Sequence, residues 1–287
     1  MRKIVNRLKA IPITWRQIKE ILKYGGIAKI NVSQIEYPNM LFTSNDVFLV
    51  TGGSRGIGRK VTERLLKAGG RVIITGRNEN TLLQTKKEIG NSNLETIVWD
   101  ISQAQEIDAK LLELENRDLH ITCLINNAGT YAKTSFPNCT LDDWENVYST
   151  NVKGPFFMCQ ALCKKWMKYP NRDKKYKIIN ISSQGGFVSA NNPYRMTKWD
   201  MRGFTQYLGQ SMYHYGIIAN GIAPGLIMTD MQPEFQKQKD NYFTNLNTVN
   251  RLALPEEIAE LVVFLASDAS NFIIGQTICC DGGYSIQ

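Results

Sequence analysis

From residue 45 onward the chain alternates short apolar runs rich in β-branched residues with longer segments whose apolar positions recur every three or four residues. The short runs fall at 46–51, 71–75, 95–99, 121–125, 176–181, 217–222 and 276–280. Continuous apolar runs of this length suit strands buried on both faces. Seven of them, separated by helical stretches, predict an α/β domain: a doubly wound, seven-stranded parallel sheet with helices on both faces. Between the first two runs, GIGRKVTERLLKAGG places Ile57, Val61, Leu65 and Leu66 at helical spacing, and Gly69-Gly70 supplies a stop. The local unit is strand, glycine turn, helix, strand.

The pattern before residue 45 is different. Composition shifts near YPNMLFTSN at 37–45, and the boundary is placed there, between an extension of residues 1–44 and one catalytic domain, 45–287. A chain of 287 residues with 43% hydrophobic content buries one large core but is short for two ordinary domains. The net charge of +8 is concentrated in the extension, where eight basic residues face two acidic ones and leave only +2 for the remaining 243 residues. That balance raises nucleic-acid binding, but aromatic residues are not interleaved with the basic ones as a stacking platform requires, so nucleic acid is not an expected partner. Within the extension, TWRQIKEILKYGG predicts a short amphipathic helix with Trp15, Ile18, Ile21 and Leu22 on one face. Packing on its own domain or on a partner subunit is favoured over contact with a membrane surface.

Several function classes drop out. The apolar runs are far below the roughly 18–20 residues that span a bilayer. The start MRKIVNRLKAIPITW lacks a continuous apolar stretch and a small-residue cleavage site, so export is not expected and the cytoplasm is. Six cysteines form no C-x-x-C pair, and with only His120 and His214 beside them no zinc-ligand spacing arises, so no metal is expected.

The first candidate chemistry is the glycine turn. VFLVTGGSRGIG reads strand, then Thr51, Gly52, Gly53, Ser54, Arg55, Gly56, Ile57 and Gly58, then helix. In such a unit glycines permit a tight turn and close backbone approach, so that the helix N-terminus can receive a pyrophosphate. The spacing T-G-x-x-x-G-x-G resembles the short-chain dehydrogenase/reductase family in its classical form, a Rossmann-type family, and the resemblance extends over essentially all of residues 45–287. A carboxylate at the end of the second strand would bond the ribose hydroxyls of NAD, whereas this chain has Thr75, Gly76 and Arg77 there, with Arg55 in the turn. Two cations and no carboxylate favour NADPH (NADP) over NAD. The resemblance further implies that Asp100 and Ile101 line the adenine, and that N-N-A-G, with Asn127, Ala128 and Gly129, borders the cofactor crevice. Asn127 is read there as mainly structural.

Tyr194 and Lys198 form Y-x-x-x-K, which on a helix brings phenol and ammonium onto one face. A nearby lysine is expected to lower the tyrosine pKa. Upstream, KIINISSQGGF ends a strand in a hydroxyl pair that could bond a substrate oxygen. By resemblance Ser183 is the catalytic serine. The family usually sets it thirteen residues before the tyrosine and here the gap is eleven, which keeps Ser182 as an alternative. The resemblance also implies that Asn151 supports a proton relay through Lys198, and that Pro224, Gly225 and Thr229 line the nicotinamide.

Together these imply hydride transfer between NADPH and a small-molecule carbonyl or secondary alcohol, by Ser183, Tyr194, Lys198 and Asn151. A catalytically silent NADPH-binding sensor or scaffold is the alternative. Candidate substrate walls are Tyr131, Gln184, Phe187 and Met228, with Met231, Phe235, Tyr242 and Phe243 as an apolar lid. The pattern resembles the branch containing 3-oxoacyl-carrier-protein reductases, although MYHYGI at 212–217 carries an aromatic where that branch has an arginine. Trp199 departs from the small residue that usually follows the lysine. The family's dimers and tetramers imply a homo-oligomer, through the tyrosine helix and the preceding one, whose face carries Phe157, Ala161 and Trp166.

Overall fold

The computed structural model describes residues 32–34, 40–131, 134–169, 174–229 and 242–286. The amphipathic segment of the extension, and Met231 and Phe235 of the lid, lie outside the described residues. The elements run β1 (Val47–Thr51), α1 (Gly56–Lys67), β2 (Arg71–Gly76), α2 (Glu79–Ile89), β3 (Leu94–Val98), α3 (Ile107–Asn116), β4 (Cys123–Asn126), α4 (Leu141–Tyr148), α5 (Gly154–Lys168), β5 (Tyr176–Ile181), α6 (Pro193–Met212), β6 (Ile217–Pro224), α7 (Pro255–Ala266) and β7 (Thr277–Cys280). The strands form one sheet in the order β3-β2-β1-β4-β5-β6-β7, parallel throughout. This is the doubly wound arrangement that the alternating pattern predicts. β6 runs two residues past its predicted end, because Pro224 pairs with Cys280 at the strand terminus, where a missing N–H is tolerated.

The continuous apolar strands have a direct cause in the two-layered core. Successive residues of a strand point to opposite faces. Val50, Ile74, Ile125 and Ile222 pack on one face against Val61 and Leu65 of α1 and Ile258 and Val262 of α7. Leu49, Ile73, Leu124 and Ile178 pack on the other against Leu114 of α3, Met158 and Leu162 of α5 and Leu208 of α6. Phe42, just ahead of the boundary drawn at 45, also joins the core and meets Phe48 edge to face. Trp166 does not belong to an outer helix face as expected: it is 2% exposed, donates its indole N–H to the Ile121 carbonyl at 2.9 Å and stacks on Tyr176. Its bulk faces the sheet. Phe157, by contrast, is exposed.

Among the described residues no helix is long and apolar enough to cross a membrane, and no cluster of His, Cys, Asp and Glu could hold a metal ion. All six cysteines are free thiols.

The order of strands places the switch in chain direction between β1 and β4, and in open α/β sheets ligands bind in the crevice at the carboxyl ends of the strands beside such a switch.

Candidate active site

The glycine turn joins β1 to α1. Gly52 and Gly56 take φ of +66° and +52°, a region that disfavours side chains. Gly58 is required for a different reason: a Cβ there would lie 2.3 Å from the Gly52 carbonyl oxygen and 2.5 Å from Asn127 Nδ2. Arg55 stands at the N-cap of α1 without a side-chain cap bond, and the first turn carries no acidic residue. The helix therefore offers its first N–H groups and the positive end of its dipole to an anion. Across the crevice, the Thr51 hydroxyl accepts from the N–H groups of Asn127 and Ala128, both at 3.0 Å, while Asn127 Nδ2 donates to the Thr51 and Gly52 carbonyls. Asn127 thus ties the end of β4 to the turn. Gly58→Ala is expected to lower stability by about 1–3 kcal/mol through overpacking and to weaken dinucleotide binding, which urea melts and cofactor titration would measure.

The tyrosine, lysine, serine and asparagine converge at the carboxyl ends of β4 and β5. Tyr194 and Lys198 lie one turn apart on α6, with the lysine ammonium 5.3 Å from the tyrosine ring centroid. Lys198 is 6% exposed and its Nζ donates to the Ile181 carbonyl at 3.0 Å. Burial lowers its pKa to about 8. The Ser183 hydroxyl lies beside the Tyr194 phenol, near enough to oppose the rise in its pKa, and accepts from Gly185 N–H at 3.1 Å. Ser182 is turned the other way: it is buried, and its hydroxyl donates to the Lys198 carbonyl at 3.0 Å. Alternation along the end of β5 sends one serine into the crevice and the other under α6.

One electrostatic expectation is overturned. Tyr194 is raised above the ordinary phenol value by burial, which outweighs the opposing hydrogen bond from Ser183. Burial is the larger influence on the phenol, and it also lowers the pKa of Lys198, whose ammonium donates to the Ile181 carbonyl.

Asn151 sits in a π turn, Ser149–Lys153, that joins α4 to α5. Such a turn inserts an extra residue into a helix and re-aims what it carries. The Asn151 side chain accepts from Thr130 N–H at 2.9 Å, donates to the Thr130 carbonyl at 2.8 Å, and reaches the Thr197 hydroxyl at 3.2 Å. A Cβ on Gly129 would lie 3.4 Å from Asn151 Oδ1 and 3.9 Å from Lys198 Nζ, so both side chains border the same small space. Thr197 is the partner that sequence reasoning overlooks. Its signal is a β-branched hydroxyl residue between the tyrosine and the lysine, bonded back to the Tyr194 carbonyl at 2.7 Å.

The remaining candidates are more dispersed. Arg55 and Arg77 are exposed, and among the described residues neither forms an ion pair or a side-chain hydrogen bond. Asp100 Oδ1 accepts from the Ser102 N–H and hydroxyl, and the Ile101 side chain is buried. Gly225 packs against Asp281, and Thr229 returns over the glycine turn, 3.4 Å from where a Gly56 Cβ would stand. Met228 N–H bonds the Ala253 carbonyl. Tyr131 is exposed, and Phe187 stacks on the Arg202 guanidinium at 4.1 Å. Gln184 Oε1 is buried without a hydrogen-bond partner among the described residues. Tyr242 and Phe243 pair with Leu252 and Arg251 in a short antiparallel return.

A family model described as Enoyl-(Acyl carrier protein) reductase matches residues 52–285. The 3-oxoacyl-[acyl-carrier-protein] reductase FabG of Aquifex aeolicus is 33% identical over 242 residues, covering 83% of this chain and 96% of that protein. The acetoacetyl-CoA reductase of Shinella zoogloeoides is 36% identical over 243 residues, covering 83% and 97%. A gluconate 5-dehydrogenase from Burkholderia cenocepacia, solved in complex with NADP and tartrate, superimposes with a TM-score of 0.77 at 29% identity, covering 86% of this chain and 98% of that one. With a parallel sheet in this order, a glycine turn at its switch point and matches over most of its length, the chain belongs to the short-chain dehydrogenase/reductase family, and is an NAD(P)-dependent oxidoreductase acting on a CH–OH/C=O group.

Proposed function

We propose that this protein is an NADPH-dependent reductase of a small carbonyl compound, with Ser183, Tyr194, Lys198 and Asn151 as its working residues. The observation that carries the reading is the convergence of Ser183, Tyr194 and Asn151 on the buried Lys198 at the carboxyl ends of β4 and β5. The residues present fit a dinucleotide. The space a Gly58 Cβ would fill is closed to side chains, and α1 begins with free N–H donors. Arg55 and Arg77 supply cations for the extra phosphate of NADPH, in keeping with the NADP found in the gluconate 5-dehydrogenase relative.

When bound, the reduced nicotinamide supplies the hydride. The protein's own part is to hold and protonate the carbonyl oxygen. Ser183 donates a hydrogen bond to that oxygen as charge develops on it. Tyr194 gives it the proton, and because burial raises its pKa the phenol is protonated at neutral pH, as a donor in the reductive direction must be. Asn151 and Thr197 hold the helix end and the neighbouring loop in register behind Lys198.

The substrate class rests on relatives that reduce 3-oxoacyl and acetoacetyl thioesters or oxidise a sugar acid, so a 3-oxoacyl carrier-protein substrate is one candidate. The setting we propose is the cytoplasm, where six unpaired thiols persist. Assembly as a homodimer or homotetramer through α5 and α6 is supported by the exposed Phe156, Phe157 and Tyr207.

The test is loss of NADPH absorbance with acetoacetyl-CoA, diacetyl or 5-ketogluconate as acceptor. Oxidation of NADPH in preference to NADH is expected. Replacing Arg55 and Arg77 by Ala should reduce that preference by roughly tenfold per lost charge-assisted contact. Failure both to bind and to oxidise NADPH overturns the reading.

A further inference from the structure

The loop between Ser183 and Tyr194 is two residues shorter than the family spacing, and it is held down by side chains from the outer face of α6. Trp199 Nε1 donates to the Val188 carbonyl at 2.9 Å. Arg195 Nη1 donates to the Ser189 carbonyl at 3.0 Å. The Arg202 guanidinium lies 4.1 Å from the Phe187 ring centroid and 5.4 Å from that of Trp199, so it is held between the two. Positions 195, 199 and 202 are four and three apart, which on a helix makes one stripe.

The contact is close along its whole length. Gly186 presses so near α6 that a Cβ would come within 2.7 Å of the Lys198 carbonyl oxygen. At its start the loop sets the Ser183 hydroxyl through Gly185 N–H, and at its far end the Asn191 carbonyl accepts from Phe136 N–H at 2.9 Å. Trp199 itself is 43% exposed. A tryptophan kept for core packing would be buried, whereas this one uses its N–H and one ring face on the loop.

We infer that Trp199, with Arg202, is a positioning residue: it clamps the shortened loop onto α6 and so fixes the Ser183 hydroxyl against the Tyr194 phenol. The inference rests on the reading of Ser183 and Tyr194 given above. A bulky residue after the lysine is then the compensation for the missing loop length. A short loop has less slack with which to adapt, and without the clamp it is free to lift away from α6 and carry the serine with it.

Trp199→Ala removes the N–H and the ring, and Trp199→Phe removes the N–H but keeps a ring for Arg202. With the acceptor the wild type reduces, kcat should fall roughly tenfold to a hundredfold in Trp199→Ala, the scale of a misplaced reacting group, less in Trp199→Phe, with NADPH affinity unchanged in both. In a Ser183→Ala background the same Trp199 substitution should have no further effect on kcat, because the group it positions is already gone. Additive losses would overturn the inference, as would a parallel loss of NADPH affinity. A second readout needs no turnover. The Tyr194 resonance in protein carrying ring-labelled tyrosine, assigned with Tyr194→Phe, should titrate at higher pH in Trp199→Ala, since the Ser183 hydrogen bond that opposes its upward shift is loosened. An unchanged titration overturns the clamp even if the protein proves to be no reductase. A shift to higher pH supports it independently of that question, and a shift to lower pH overturns it.

Discussion

Tyr194→Phe is expected to reduce kcat by roughly a hundredfold to ten-thousandfold, the range attributed to a positioned general acid, while leaving NADPH binding unchanged. The substitution removes one oxygen and keeps the ring, so it tests the proton and little else. Ser183 stays in place through Gly185 N–H, and Lys198 stays bonded to the Ile181 carbonyl. The pH profile carries the sign. Burial raises the Tyr194 pKa above its ordinary value of about 10, so the donor remains protonated through neutral pH and the reductive rate should decline only at strongly alkaline pH. That alkaline limb should be absent from the residual activity of the variant. A variant with wild-type kcat removes Tyr194 from its role.

Lys198→Met is expected to lower kcat, because it removes the bond that ties α6 to the end of β5 beside Tyr194, and, in addition, to change how stability depends on pH. The folded-state pKa of about 8 lies below the ordinary 10.5. The folded protein therefore binds fewer protons than the unfolded chain between those two values, and this group's contribution to stability rises with pH across that window. Below pH 8 the buried charge costs on the order of 3 kcal/mol, and methionine removes that cost at the expense of the bond to Ile181. Denaturant melts near pH 7 and pH 9.5 should show wild type gaining on Lys198→Met as the pH rises. A difference that is flat with pH means the amine is not held near neutrality, and the electrostatic account of the site fails with it.

Much of this molecule is legible along the chain because its determinants are local. Strands buried on both faces are nearly continuous apolar runs, so β1 and β2 announce themselves without partners, and β5 and β6 do so despite the buried Lys177, Asn180 and Asn220. The glycine turn is legible for a similar reason. Positive φ at Gly52 and Gly56 and the contact at Gly58 each exclude side chains at a fixed distance from the end of β1. The i, i+4 spacing of Tyr194 and Lys198 is a property of one helix.

What the chain could not decide by itself depends on distant neighbours. Two adjacent serines are equivalent in sequence; only α6 packed over the end of β5 gives Ser182 to the Lys198 carbonyl and leaves Ser183 facing Tyr194. Spacing alone predicts a lowered tyrosine pKa, whereas burial, a property of the assembled core, raises Tyr194 and lowers Lys198. Trp166 and Trp199 read alike as large residues on successive helices, yet one lies against the sheet and the other clips a loop. The sequence by itself determined the succession of strands and helices along the chain, the glycine turn and the tyrosine–lysine pair, since each follows from local backbone geometry and periodicity, whereas the order of strands within the sheet is set by long-range pairing. The tertiary structure decided which serine faces the tyrosine, how far the lysine is desolvated and what Trp199 holds, since hydrogen bonding and burial are settled by residues far apart in the chain.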